Sequence, residues 1–189
     1  KEQFTVAYEP GDHGTSEPHT TGGLDYGTET PGFEGETTAH AGYTFAGWAP
    51  EVAETVTGSA TYVAQWSADT DTKYTVEYYY QKDGAYPEDA SDSEERTGTT
   101  DTLASVTAED KIPTEDGYVY DTAAANVESG NIAGDGSLVL KVYFKEQFTV
   151  AYEPGTHGTF EPQTTGGLDY GTETPGFDGE TTGDAGYTF

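Results

Sequence analysis

Four histidines, His13, His19, His40 and His157, stand in a chain that carries 35 acidic and only 7 basic residues. These are the side chains from which a catalytic or metal-binding centre would be assembled. His13 and His157 both lie in "HGT" turns, where a turn or surface role outweighs a ligand role. His19 and His40 are replaced by Gln163 and Asp184 in an internal second copy of the same stretch, which a site repeated in each copy would not tolerate. Acid–base hydrolysis of a glycosidic bond needs two carboxylates held about 5–10 Å apart in a cleft, and small β-rich modules offer little cleft. Calcium would take hard oxygen ligands from "DTD" at Asp69–Asp71 or "EDASDSEE" at Glu88–Glu95. Neither stretch follows the EF-hand loop, so a solvated acidic loop is the first reading and a calcium-stiffened junction the second. An intramolecular isopeptide bond would have only Asn126 and Asn131 to draw on as asparagines. No serine sits in a nucleophile elbow, and no glycine loop with its lysine is built to cradle a phosphate. The expectation is therefore a non-enzymatic chain with no catalytic, cofactor-binding or metal-ligating residues and no cofactor, calcium at the acidic loops being the one alternative.

Bulk composition narrows the partners. A net charge of −28 repels phosphate backbones and anionic bilayers, so nucleic acid is excluded as a charge-driven partner. Hydrophobic residues make up 33% of the chain and aromatics 13%, with 15 tyrosines. Apolar area thus comes from a few large rings, which suits small β-rich modules better than one deep core. Cysteine is absent, so disulfides and thiolate metal sites are unavailable. Methionine is absent too, including at position 1, and the chain reads as a piece of something longer. No stretch approaches transmembrane length, so no membrane insertion is expected in this segment.

The elements that position these residues are repeats. "KEQFTVAYEPG" at Lys1–Gly11 returns unchanged at Lys145–Gly155, and residues 1–45 align with 145–189 with six differences. The differing pairs are Asp12/Thr156, Ser16/Phe160, His19/Gln163, Glu34/Asp178, Ala39/Gly183 and His40/Asp184. Faithful tandem duplication is a habit of stalks and repeat arrays rather than of catalytic domains. A weaker repeat lies inside the unit. "FTVAYEPG" resembles "YTVEYYYQKDG" at Tyr74–Gly84, and "AGYTFAGW" at Ala41–Trp48 resembles "DGYVYDTA" at Asp116–Ala123.

Period-two alternation predicts strands with one buried face. The inward sets are Phe4, Val6 and Tyr8; Ala60, Tyr62, Ala64 and Trp66; Tyr74, Val76, Tyr78 and Tyr80; and Leu138, Leu140, Val142 and Phe144. Turn signals fall between them at "EPGDHGT", "TTGGLDYGTETPGF", "KDGAYPED" and "AGDGS". Helix-compatible stretches are Thr122–Ser129 and, more weakly, Pro50–Val56, so one short helix crossing a small mixed sheet is expected. The modules are 1–67, 73–144 and an incomplete second copy of the first at 145–189. A polar linker, "SADTDT" at Ser67–Thr72, separates the first two. The second passes into "KEQFTV" with almost no linker, which implies restricted hinge motion and an elongated rod.

"FTVAYEPGDHGT…DYGTETPGF…AGYTFAGWAP…ATYVAQW" resembles the Listeria–Bacteroides repeat, also known as the B repeat of internalins. Tyr26-Gly27, Pro31, Gly42–Phe45, Gly47-Trp48 and Tyr62–Trp66 match its signature in order. "YTVEYYYQKDGAYPE…GYVYD…LVLKVYF" is similar to the mucin-binding-protein (MucBP) repeat. The resemblance implies an α+β, mainly β fold of tandem β-grasp, ubiquitin-like modules. It also implies a setting on multi-repeat surface proteins, mostly of Gram-positive bacteria, and it brings no catalytic residues.

A module of some 70 residues buries only about 60% of its unfolded surface, so Trp48 and Trp66, the only tryptophans, are expected as core anchors. An exposed platform for a sugar is the alternative. The functional expectation is an extracellular stalk or spacer at a bacterial cell surface or wall, in adhesion or as part of a fibre, whose partners are neighbouring repeats. Alternatives are direct binding of a host glycan or mucin-type glycoprotein, and self-assembly into a filament by strand complementation. The second copy has no counterparts of Ala46–Trp66, which leaves a backbone edge and half a core open. A window on a longer polymer is the favoured explanation. A chain cut at that point and a strand supplied by a neighbouring molecule are the others.

Overall fold

The computed structural model describes residues 1–188; Phe189, the counterpart of Phe45 in the second copy, lies outside the described residues. Strand accounts for 47% of the chain and helix for 2%, so the fold is mainly β. Two compact units are present: Lys1–Thr75 with Glu95–Ala104 and Ser129–Val139, and Val76–Glu94 with Ser105–Glu128 and Leu140–Phe189.

The first unit opens with β1 (Phe4–Glu9), β2 (Gly14–Ser16), β3 (His19–Leu24), β4 (Thr37–Ala39), β5 (Tyr43–Ala49) and β6 (Ala60–Ala68). Four of these form a mixed sheet in the order β3-β1-β6-β5. β1 runs antiparallel to β3 and parallel to β6, and β5 is antiparallel to β6. β2 and β4 make a separate antiparallel ribbon. The alternation works as the sequence predicts: Val6, Tyr8, Tyr62 and Ala64 are buried. A bulge between Phe45 and Gly47 re-aims β5, and Gly47 supplies the φ of +118° found there. Tyr8 is the hub, with ring centroids 4.8 Å from Trp48, 5.3 Å from Tyr62 and 5.6 Å from Phe33. Its buried hydroxyl donates to the Pro31 carbonyl at 2.8 Å, which removes the cost of an unpaired phenol.

Pro50–Val56 is not helical. Its backbone bonds run sideways to the 27–30 turn instead: Gly27 N–H to Val56 O at 2.8 Å, Val56 N–H to Thr28 O at 2.8 Å and Thr30 N–H to Glu54 O at 3.0 Å. Val56 thereby enters the core beside Val6, Tyr8 and Tyr62. The expected linker is shorter than Ser67–Thr72, because β6 extends to Ala68 and β7 (Thr72–Tyr80) begins at Thr72. Asp69 is pinned within it. Its N–H donates to Gly42 O at 2.8 Å, its carbonyl accepts from Thr100 N–H at 2.9 Å, and its carboxylate accepts from the Thr44 hydroxyl at 2.7 Å.

The remaining elements are β8 (Asp92–Gly98), β9 (Leu103–Ser105), a 3₁₀ turn (Glu109–Lys111), β10 (Tyr118–Tyr120), β11 (Ser129–Asn131), β12 (Val139–Tyr152), β13 (Gly158–Thr159), β14 (Gln163–Asp169) and β15 (Thr182–Gly183). A five-stranded sheet has the order β10-β12-β7-β8, with β14 also paired to β12. In the second unit Val76, Leu140, Val142 and Phe144 are buried along the expected faces. Tyr79 is buried as well, although alternation places it on the opposite side of β7. Tyr143 stacks on it at 4.6 Å, and the Lys141 ammonium donates to its hydroxyl at 3.1 Å. Both faces of this strand are thus covered.

The expected helix at Thr122–Ser129 is also absent. Asp121 Oδ1 accepts from Ala123 N–H at 2.9 Å, and the Asn126 amide donates to Asp121 O at 2.8 Å and accepts from Tyr143 N–H at 2.9 Å. Side chains that bond the nearby backbone offer it an alternative to helical bonds. Val127 then exchanges two 3.0 Å bonds with Lys141, and the segment leaves as β11. The 3₁₀ turn at Glu109–Lys111 is the only helical element among the described residues.

β12 is the longest strand, with 14 residues. Its centre pairs with β10 (Tyr118↔Glu146, Val119↔Lys145, Tyr120↔Phe144). Its end pairs with β14, from Gln147↔Asp169 to Tyr152↔Gln163. The place where the sequence restarts at Lys145 is therefore the middle of an unbroken strand.

Candidate functional site

The polar residues that could do chemistry are dispersed. His13 stacks on Tyr43 with centroids 4.1 Å apart, and His157 stacks on Tyr187 at the same 4.1 Å. His19 meets Phe33 edge-on at 6.4 Å, and the His40 N–H donates to His13 O at 2.9 Å. Each histidine has a packing or backbone role in its own ribbon or turn. No group of three or more His, Cys, Asp or Glu side chains suited to a metal ion occurs among the described residues. Of the acidic stretches, Asp69 is committed to the bonds given above, and Glu95 pairs with Lys73 at 2.8 Å. Ser91 Oγ accepts from Tyr80 N–H at 3.0 Å. Asn126 holds a turn, with its side-chain amide bonded to backbone.

Trp48 packs against the first module's core, whereas Trp66 is partly buried outside that cluster. Trp48 packs on Tyr8 and Phe33. The Trp66 indole N–H donates to Pro10 O at 2.8 Å, and its ring lies flat against Gly14. A Cβ on Gly14 would fall 2.0 Å from Trp66 Cζ2, and one on Gly11 2.4 Å from Ala64 O. These two glycines form a slot that only a residue without a side chain can line. Sequence reading takes both as turn glycines and misses the slot, because its other wall is more than fifty residues away.

The second copy rebuilds this frame closely. Tyr152 donates to Pro175 O at 2.8 Å and lies 5.6 Å from Phe177. The β12–β14 pair has a bulge between Phe148 and Val150, the counterpart of one between Phe4 and Val6 in the β1–β3 pair. The β13–β15 ribbon repeats β2–β4. The differing positions settle locally: Phe160 packs on Phe177 at 4.6 Å, and the Gln163 amide donates to Asp178 Oδ1 at 2.7 Å. What changes is the cover. Val150 and Tyr152 are half-buried where Val6 and Tyr8 are 2% and 1% exposed, and Phe148 is 44% exposed.

Two open recesses result. One, of about 260 Å³, is lined by Phe148, Val150, Leu168 and Tyr170. The other, of about 220 Å³, is lined by Gly155, Gly158, Phe160, Thr182 and Gly183. Gly155 has nothing near its missing Cβ, and the nearest atom for Gly158 is Thr182 O at 3.0 Å. The second copy thus presents a sheet face with one largely apolar recess and one lined mainly by glycine, threonine and Phe160.

Electrostatics at the start of this copy is local. Lys145 donates to Asp169 at 2.7 Å. That hydrogen bond holds the Asp169 carboxyl below its ordinary range and raises the Lys145 ammonium. Burial, helped by a 2.7 Å bond to Asp121, pushes the Tyr86 phenol well up. Tyr170 packs against the Lys82–Ala85 turn, where a Cβ on Gly84 would fall 2.4 Å from its ring. Neither a scan against protein-family models nor a search of curated proteins returns a match to this chain.

Proposed function

We propose that the chain is a non-enzymatic repeat region of an extracellular bacterial surface protein, serving as stalk or spacer. Its modules are read as β-grasp units of the Listeria–Bacteroides and MucBP-like kinds. The sheet order β3-β1-β6-β5, with its central pair parallel, supports the β-grasp reading; the crossover from β3 to β5, which carries a helix in that fold, is here made of turns and the short strand β4. The observation that carries the stalk reading is β12, which joins one module to the next as a single strand. A junction of that kind restricts bending and favours a rod. No helix among the described residues is long and apolar enough to cross a membrane.

Small-angle scattering on arrays of one, two and three 144-residue units tests this reading. A stalk gains maximum dimension almost linearly, by roughly 30 Å for each compact module. Arrays that fold back into a compact globule would remove the proposal.

A further inference from the structure

Gly134 has no positive φ, so its own backbone would accept a side chain. A neighbour forbids one: a Cβ there would fall 1.9 Å from Ala41 O and 3.1 Å from Gly42 Cα. The approach is mutual, because a Cβ on Gly42 would fall 2.4 Å from Gly134 Cα and 2.5 Å from Thr100 Oγ1. Two loops far apart in sequence thus meet backbone to backbone, at a distance that only glycine permits. The knob is the His40–Tyr43 turn, closed by the Tyr43 N–H to His40 O bond at 3.1 Å. The socket is built by residues 99–102 and 131–134. Asp101 N–H to Ile132 O and Ile132 N–H to Thr102 O, both at 2.9 Å, tie its two loops together. Polar bonds surround the contact. Thr100, only 2% exposed, shares a 2.7 Å hydroxyl bond with Thr72. Tyr43, held flat on His13, donates its hydroxyl to the Asp101 carboxylate. Asp101 itself takes a φ of +62°, which costs free energy for a residue with a side chain and persists where the surroundings hold it. All of these residues belong to the same compact unit.

We infer that the His40–Tyr43 turn and the Thr100 and Gly134 loops form a knob-and-socket joint, which makes residues 69–71 a fixed corner and not a hinge. The corner is bonded on both sides. Asp69 N–H donates to Gly42 O on the knob, and Asp69 O accepts from Thr100 N–H on the socket. Opening the corner would break these two bonds together with the Tyr43–Asp101 bond and the buried Thr72–Thr100 pair. Contacts that can only be lost together open as one cooperative unit. Ser67–Thr72 reads as a polar linker because the two glycines that decide the matter, Gly42 and Gly134, lie outside it. The inference does not depend on the stalk reading, since a joint can be fixed in an array of any shape.

The chain has no cysteine, so spin labels can be placed at chosen sites alone. Thr20→Cys on β3 and Thr97→Cys on β8, both at exposed positions, carry a label pair across the joint. Pulsed electron spin resonance on the whole chain should give one narrow distance distribution. Hydrogen exchange by NMR should show the Asp69 and Thr100 amides protected like those of β6. Gly134→Val drives a side chain into the Ala41 carbonyl. It should broaden the distribution and speed exchange at Asp69 and Thr100 roughly tenfold or more, while the β1 amides keep their protection. Gly58→Ala, which meets nothing within 4 Å, should change neither readout. If Gly134→Val unfolds β1 as well, Tyr43→Phe decides. That variant keeps the ring on His13, removes only the bond to Asp101, and should still speed exchange at Asp101 several-fold. Three results would each overturn the inference: a broad distribution in the parent chain, Asp69 and Thr100 amides that exchange as freely as exposed turns, or readouts unmoved by the deciding variant.

Discussion

Residues 1–45 and 145–188 present nearly the same side chains to two different surroundings. Tyr8 and Tyr152 make the same 2.8 Å bond to a proline carbonyl, and His13 and His157 make the same stack on a tyrosine. These geometries are therefore properties of the local stretch alone. Burial differs: in the first copy β6 and the Val56 turn cover Val6 and Tyr8, and Val150 and Tyr152 are less buried. Shape here is encoded locally, whereas the cover over Val6 and Tyr8 comes from Val56 and Tyr62, some fifty residues on.

The largest test of that division replaces the hub ring. Tyr8→Ala should cost about 3–5 kcal/mol, as for other large buried aromatics, while Tyr152→Ala should cost under about 2 kcal/mol because its ring is only partly buried. Both tryptophans lie in the first module, so urea unfolding followed by indole emission reads that module, and hydrogen exchange across β14 reads the other. Equal losses would mean that local contacts carry the stability.

Next in size is the slot. Gly14→Ala forces a methyl into the Trp66 ring and should cost about 1–3 kcal/mol, as overpacking does, with a shift in indole emission. Gly158→Ala meets Thr182 O at 3.0 Å, with Gly183 Cα and Thr182 C at ordinary contact distance, and should cost less than about 1 kcal/mol by the same argument.

Phe160→Ser, which installs the first copy's residue, should lose about 0.5–1.5 kcal/mol through the Phe177 contact, visible as faster exchange in β13.

The smallest effect is electrostatic. Asp169 titrates below the ordinary aspartate value of about 3.9, so its pairing with Lys145 adds stability above that value and loses it as pH falls through the folded pKa. Carbon-13 NMR titration should show Lys145→Ala returning Asp169 toward its ordinary range. An unchanged titration would show that the ion pair does not form in solution.

Much of this was legible in the amino acids. The alternation of Phe4, Val6 and Tyr8, and of Leu140, Val142 and Phe144, marks strands and their buried faces, and the repeat announces that the frame is built twice. The helix expected at Thr122–Ser129 failed because three alanines advertise propensity, whereas Asp121 and Asn126 claim the backbone bonds first. Tyr79 escaped because its partners, Tyr143 and Lys141, sit on another strand. The glycine slot escaped for the same reason: a glycine before a turn and a glycine beneath an indole look alike until the distant ring is placed.

β12 also has a mechanical consequence. A pull along the chain at residues 144–147 travels through one pleated backbone, since no loop lies there to lengthen first. The bonds flanking it toward β10 and β14 would then be loaded sideways and share the strain, so the joint should yield late and abruptly under tension.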